Sequence, residues 1–111
     1  MDERDGPRAS YCLNAMTVSL STHVLDTERG RPGSGVRVEL RSGEQLLAST
    51  ETDADGRARL AEELEPGRYR LAFEPPSPYF RRVELELELE DGHHHVPLLV
   101  SSFGCVSYRG S

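Results

Sequence analysis

Histidine is the side chain whose ordinary pKa lies closest to neutrality, and this chain has four, three of them consecutive. His93, His94 and His95 run directly into the apolar stretch VPLLV, and the fourth, His23, stands in LSTHVLD. Such residues can exchange a proton near pH 7, ligate a metal, or stand partly solvated at a sheet edge. A His-x-His pair on one strand with a third histidine from another has a spacing that zinc accepts. Spacing alone does not choose among these chemistries.

The stretch TDADGR looks at first like a calcium loop. The downstream bidentate glutamate and the flanking helices are missing, and a turn between strands explains the Asp and Gly better. Arg57, directly after that turn, is either a solvated strand-end residue or an anion ligand. There is no nucleophile elbow, P-loop or Cys/His protease pattern. Cys105 has no activating neighbour in sequence and reads as a packing residue.

These residues must be positioned by strands. Val18, Leu20, Thr22 and Val24 alternate with Ser19, Ser21 and His23. Val36, Val38 and Leu40 alternate with Arg37, Glu39 and Arg41, and Tyr69, Leu71 and Phe73 share a face. In VELELELE, Val83, Leu85, Leu87 and Leu89 face inward and four glutamates face outward as a solvated row that discourages edge pairing. Period-two alternation marks half-buried strands, and the turn clusters ERGRPGSG, RSGE, DADG, EPG, EPPSP and EDG punctuate them. The pattern predicts an all-β fold of seven or eight strands in a two-sheet antiparallel sandwich. RARLAEELEPG is expected to hold at most one short helical turn. Alternation also sorts the histidines. His93 and His95 share one face, His94 joins Val96, Leu98 and Val100 on the other, and His23 lies opposite the apolar face of its own strand. If the two strands are neighbours, His23 and His95 meet on the outer surface of a sheet. His93 falls near the strand's edge.

A chain of 111 residues accommodates one domain, here 16–111, behind a polar extension 1–15 that has no period and reads as disordered. The net charge of −6 argues against a nucleic-acid binder, but a few local arginines can still attract a small anion. No window has the length of a membrane span, and the charged start MDERDGPRAS shows no secretory signal. Cys12 and Cys105 are therefore expected as free thiols in the cytoplasm.

Three separated stretches form a recognisable set: LSTHVLDTERGRPGSGVRVEL, TDADGR, and HHHVPLL with the closing YRGS. Together they resemble the 5-hydroxyisourate hydrolases, the transthyretin-related enzymes of urate breakdown, over essentially residues 17–111. The resemblance implies a prealbumin-like sandwich, a homotetramer with sites between facing sheets, and no metal or cofactor. It implies hydrolysis of the cyclic amide of 5-hydroxyisourate to 2-oxo-4-hydroxy-4-carboxy-5-ureidoimidazoline. His23, Arg57 and His95 match the family's catalytic set, and Tyr108 and Ser111 of the terminal tetrapeptide match residues that line its site. Ring opening by water needs a base for the water and donors for the charge growing on the carbonyl oxygen. The two histidines and the arginine fork supply these, and His93 is dispensable in that account.

The chain departs from the family pattern in three places. The stretch after SPYF is short, so a helix-bearing connection is expected to be trimmed. Ser101-Ser102 replaces the usual Ser-Pro, and Cys105 replaces an aromatic. The closing residues are expected to be functional, with Gly110 letting Ser111 turn against a ligand. Two other classes share the turn pattern: a non-enzymatic prealbumin-like binding module and a small-ligand carrier. Neither accounts for His23, His95 and YRGS together.

Overall fold

The computed structural model describes residues 17–110, so the 1–15 extension, Cys12 and Ser111 lie outside the described residues. Nine strands form two sheets: β1 (Val18–Asp26), β2 (Arg31–Pro32), β3 (Arg37–Ser42), β4 (Gln45–Glu51), β5 (Arg57–Leu64), β6 (Gly67–Glu74), β7 (Val83–Leu89), β8 (Gly92–Val100) and β9 (Cys105–Ser107). One sheet has the order β2-β1-β8-β9, with β5 pairing beside β2 along β1, and the other has the order β4-β3-β6-β7.

The alternating residues do what their period requires. Val18, Leu20 and Val24 on β1 and Val96, Leu98 and Val100 on β8 are buried against Val38, Leu40, Leu71 and Phe73 of the other sheet. Fully burying a side chain of this size contributes about 1.5–3 kcal/mol, so one misregistered strand would be costly. Thr22 is the polar exception in the β1 row, and its hydroxyl donates to the Val96 carbonyl at 2.6 Å. Thr52 likewise donates to Gly33 O at 2.6 Å and accepts from Val36 N at 2.9 Å. The glutamates of β7 are exposed and its leucines point inward. Cys105 is a half-buried free thiol packed against the core, and burial raises its pKa.

Two features depart from the sequence expectation. RARLAEEL is strand β5 throughout, antiparallel to β1 with two register shifts. Its burial pattern has one buried residue, Leu60, because the shifts break the face alternation that a regular strand would show. The sandwich is also not wholly antiparallel: β1 and β8 run parallel, from Val18 opposite Gly92 to Asp26 opposite Val100. No hairpin joins this pair. The chain crosses through the whole second sheet between them, and such a crossover permits parallel pairing. The connection 75–82 contains no helix, as its shortness predicts. No helix among the described residues is long and apolar enough to cross a membrane.

Candidate active site

The parallel pairing of β1 with β8 and the antiparallel pairing of β1 with β5 lay out a grid on the outer sheet face. Arg59, Ser21 and His95 stand in one cross-strand row, and Arg57, His23 and Pro97 in the next. Ser19 and His93 begin a third. His23 and His95 are diagonal neighbours, with ring centroids 6.5 Å apart and planes tilted by 44°. His94 points inward and is buried, with Nε2 2.8 Å from the Glu90 carbonyl. Three residues from near the start of the domain, two from its middle and three from near its end thus share one surface.

The turn after β4 holds Arg57 and His23 in place. Asp53 Oδ1 accepts the amides of Asp55 at 2.9 Å and Arg57 at 3.0 Å. The Arg57 amide is the largest influence holding the Asp53 carboxyl below its usual range, partly offset by burial and reinforced by the Asp55 amide and the charges of Arg57 and His23. Gly56 closes the turn at φ +79°, and a Cβ there would meet the Val24 carbonyl oxygen at 2.4 Å. Only glycine fits this approach, and through it the Gly56 carbonyl accepts from Val24 N at 2.7 Å. His23 Nε2 lies 2.9 Å from the Asp55 carbonyl. A carbonyl only accepts, so that nitrogen carries the proton.

His95 is held from two sides. Its Nδ1 is 2.9 Å from Ser21 Oγ. Gly110 bridges to it from the other side, donating its amide to the His95 carbonyl at 2.7 Å. A Cβ on Gly110 would meet the His95 ring at 2.9 Å, so the C-terminal segment lies directly against the imidazole. Burial depresses the His95 pKa, and the positive charge of Arg57, with smaller influences of His23 and His93, pushes it the same way. The ring therefore stays neutral at pH 7, with a lone pair available to accept a proton.

A cavity of about 710 Å³, open to solvent, is lined by His93, His95, Ser21, Arg57, Arg59 and Asp53, among others. A neutral imidazole beside two guanidinium groups can take a proton from water while an anionic, planar molecule is gripped nearby. Among the described residues no group of three or more His, Cys, Asp or Glu side chains is arranged to hold a metal ion. The sequence pointed to His23, Arg57 and His95, and these three lie together on this face. Tyr108 instead lines a second cavity, of about 410 Å³, between β7 and the end of the chain, with Leu85, Leu87, His94 and Arg109. Ser21, Arg59 and the packing of Gly110 against the His95 ring were not anticipated from sequence. A row of small polar residues opposite the apolar face of β1 was the available signal for Ser21, but its partner depends on the strand register.

Comparison with known proteins shows the family and the fold. The model of the HIUase/Transthyretin family matches residues 20–110. The chain is 45% identical to a 5-hydroxyisourate hydrolase of Caulobacter vibrioides, over 83% of this chain and 97% of that protein. A solved structure of the Klebsiella pneumoniae 5-hydroxyisourate hydrolase superposes with a TM-score of 0.78 at 35% identity, covering 85% of this chain and 99% of the other. Transthyretin from Sparus aurata superposes with a TM-score of 0.73 at 23% identity, over 82% of this chain and 95% of that one, a likeness of fold alone.

Proposed function

This chain belongs to the HIUase/transthyretin family, and we propose that it opens the cyclic amide of 5-hydroxyisourate with water, using His95 as the base and Arg57 and His23 as the groups that hold and polarise the substrate. The observation that carries the reading is the meeting of His95, His23 and Arg57 on one sheet face from strands distant in sequence, in a chain closely related to enzymes of that name.

In the proposed reaction, neutral His95 takes a proton from water through Nε2, since Nδ1 is bonded to Ser21. The hydroxide adds to the amide carbonyl, and the negative charge on its oxygen is met by the Arg57 fork. Collapse breaks the carbon–nitrogen bond, leaves a carboxylate, and returns a proton to the departing nitrogen. His23, whose Nε2 proton is fixed on the Asp55 carbonyl, steadies the Asp53–Arg57 turn beside the substrate. Ser111 remains the proposed substrate contact from the closing tetrapeptide, whereas Tyr108, which lines the second cavity, is given no part in the step. Gly110 between them touches the His95 ring, which supports bringing Ser111 to the same place.

A site on an open sheet face excludes water poorly, and a second subunit laid over it would supply the missing wall. The proposal therefore includes a homotetramer with facing sheets, working without metal or cofactor in the cytoplasm. The test is direct: freshly generated 5-hydroxyisourate is mixed with the purified chain and its decay followed against the spontaneous rate. Decay no faster than the buffer control overturns the reading.

A further inference from the structure

The histidine to which acid–base chemistry assigned no role has both ring nitrogens bonded. His93 Nδ1 is 2.6 Å from Ser19 Oγ, and its Nε2 is 3.0 Å from Ser21 Oγ. Ser21 Oγ in turn is 2.9 Å from His95 Nδ1. The four groups form an unbroken line, Ser19–His93–Ser21–His95, running from a half-buried serine through the exposed His93 to the half-buried ring at the cavity.

Counting hydrogens restricts this line severely. A neutral imidazole has one N–H and a serine hydroxyl one O–H. Only two arrangements place a single hydrogen in every link. In the first, His95 Nδ1–H donates to Ser21, Ser21 to His93 Nε2, and His93 Nδ1–H to Ser19. His95 Nε2 is then a bare lone pair. In the second every link is reversed, and His95 Nε2 carries the hydrogen. The direction of the line thus decides whether His95 meets the substrate as an acceptor or as a donor.

We propose that Ser19, His93 and Ser21 form a proton wire that sets His95 in its acceptor tautomer and conducts the proton taken from the attacking water to solvent. The inference rests on the hydrolase reading above. As His95 Nε2 gains the water's proton, its Nδ1 proton passes to Ser21 Oγ, the Ser21 proton to His93 Nε2, and the His93 Nδ1 proton to Ser19 Oγ. Ser19 releases its own proton to solvent. One proton enters, one leaves, and every member ends neutral in the reversed arrangement. His95 then gives its Nε2 proton to the nitrogen that leaves the substrate, while a proton from solvent re-enters at Ser19 and passes back through His93 and Ser21 to His95 Nδ1, which resets the line.

The surroundings favour conduction over storage. An imidazolium at His95 is opposed by its burial and by the neighbouring positive charge of Arg57. Glu51, Asp53, Arg57 and Arg59 also line the cavity. Among the described residues none of these side chains is hydrogen-bonded to either ring of the line, so the serines are its carriers. Ser21 and His93 are positioning residues on this account, acting on the substrate through His95.

The experiment uses the full chain with Ser21→Ala, Ser21→Thr and His93→Ala. In Ser21→Ala and His93→Ala, kcat is expected to fall about tenfold or more while KM stays within about twofold. Ser21→Thr keeps the hydroxyl and restores most of kcat, and added imidazole restores turnover to His93→Ala in proportion to its concentration. Independently of activity, nitrogen NMR of the His95 ring is expected to show the Nδ1–H tautomer in the wild type and a shift toward Nε2–H in Ser21→Ala. An active wild type with both alanine variants at full kcat, or an unchanged His95 tautomer in Ser21→Ala, overturns the wire and leaves the hydrolase reading standing. A wild type that opens no ring overturns both.

Discussion

Gly110→Ala adds one methyl group, and the structure says where it goes. The new carbon lies 2.9 Å from His95 Cδ2, 3.2 Å from the His95 carbonyl oxygen and 3.5 Å from its Cβ. Ordinary carbon–carbon contact is about 3.5–4.0 Å, so roughly 0.6 Å of overlap must be relieved. The glycine is not among those with positive φ, so the substitution introduces no backbone strain of its own. Relief by moving the backbone is opposed by the 2.7 Å Gly110–His95 bridge and by the crowded carbonyl. The ring is the softer partner and should swing away, stretching its 2.9 Å bond to Ser21 toward the limit of about 3.5 Å at which a hydrogen bond is lost. A misplacement of about 1 Å in a catalytic group can cost about a hundredfold, so roughly tenfold in kcat/KM is expected here. Stability should fall by no more than about 1 kcal/mol. The assay is the absorbance decay of freshly generated 5-hydroxyisourate, run beside Gly104→Ala, whose methyl would meet only the Ser101 hydroxyl at 3.1 Å. If Gly110→Ala is folded, loses stability and yet keeps kcat/KM within twofold of wild type, the bridge yields instead of the ring, and the argument for contact-controlled placement of His95 fails.

Other perturbations separate catalysis from folding. His95→Ala and His23→Ala should each lower kcat/KM by about a hundredfold or more with unchanged circular dichroism, because both rings stand off the core face; near-wild-type turnover in either soluble variant would sink the assignment. Because the His95 pKa is depressed, the neutral base persists below the ordinary histidine value of about 6.5. The acid limb of the kcat/KM profile should therefore lie below pH 6.5, and a limb centred above pH 7 contradicts a neutral His95 base. Gly56→Ala forces a side chain at φ +79° against the Val24 carbonyl and should destabilise the fold by at least about 2 kcal/mol, read as a lower denaturation midpoint; an unchanged midpoint would show that the turn relaxes freely. Light scattering should give the mass of a tetramer, and a fully active monomer would remove the facing subunit from the account.

Where alternation was strict, the sequence placed side chains on the correct face. The inward turn of His94 and the outward turn of His93 and His95 follow from the two-residue period of β8, and the same period places His23 outward on β1. β5 was not legible as a strand because its register shifts against β1 interrupt the period. The Ser21–His95 contact was invisible for another reason. A serine on an outward face has no assigned partner until it is known which strand lies beside it and in which direction. The parallel β1–β8 register, joining residues 74 positions apart, is tertiary information that local pattern does not contain. The same is true of Gly110: its freedom to turn could be anticipated, but its packing on the His95 ring depends on where the chain returns.

The parallel strand pair also bears on how the molecule reaches its working form. Ser21 and His95 are separated by 74 residues, and the intervening segment contains the whole second sheet. Contacts this distant carry a large loop-closure entropy and are slow to form. β1 can pair early with β2, its neighbour in sequence, and then with β5, which is nearer in sequence than β8 and brings Arg57 beside His23. The catalytic base arrives only with β8, and Gly110 presses on it only after β9. In refolding, return of strand signal should therefore run ahead of return of turnover. The enzyme would announce its own completion, since its chemistry switches on with the last long-range pairing to be made.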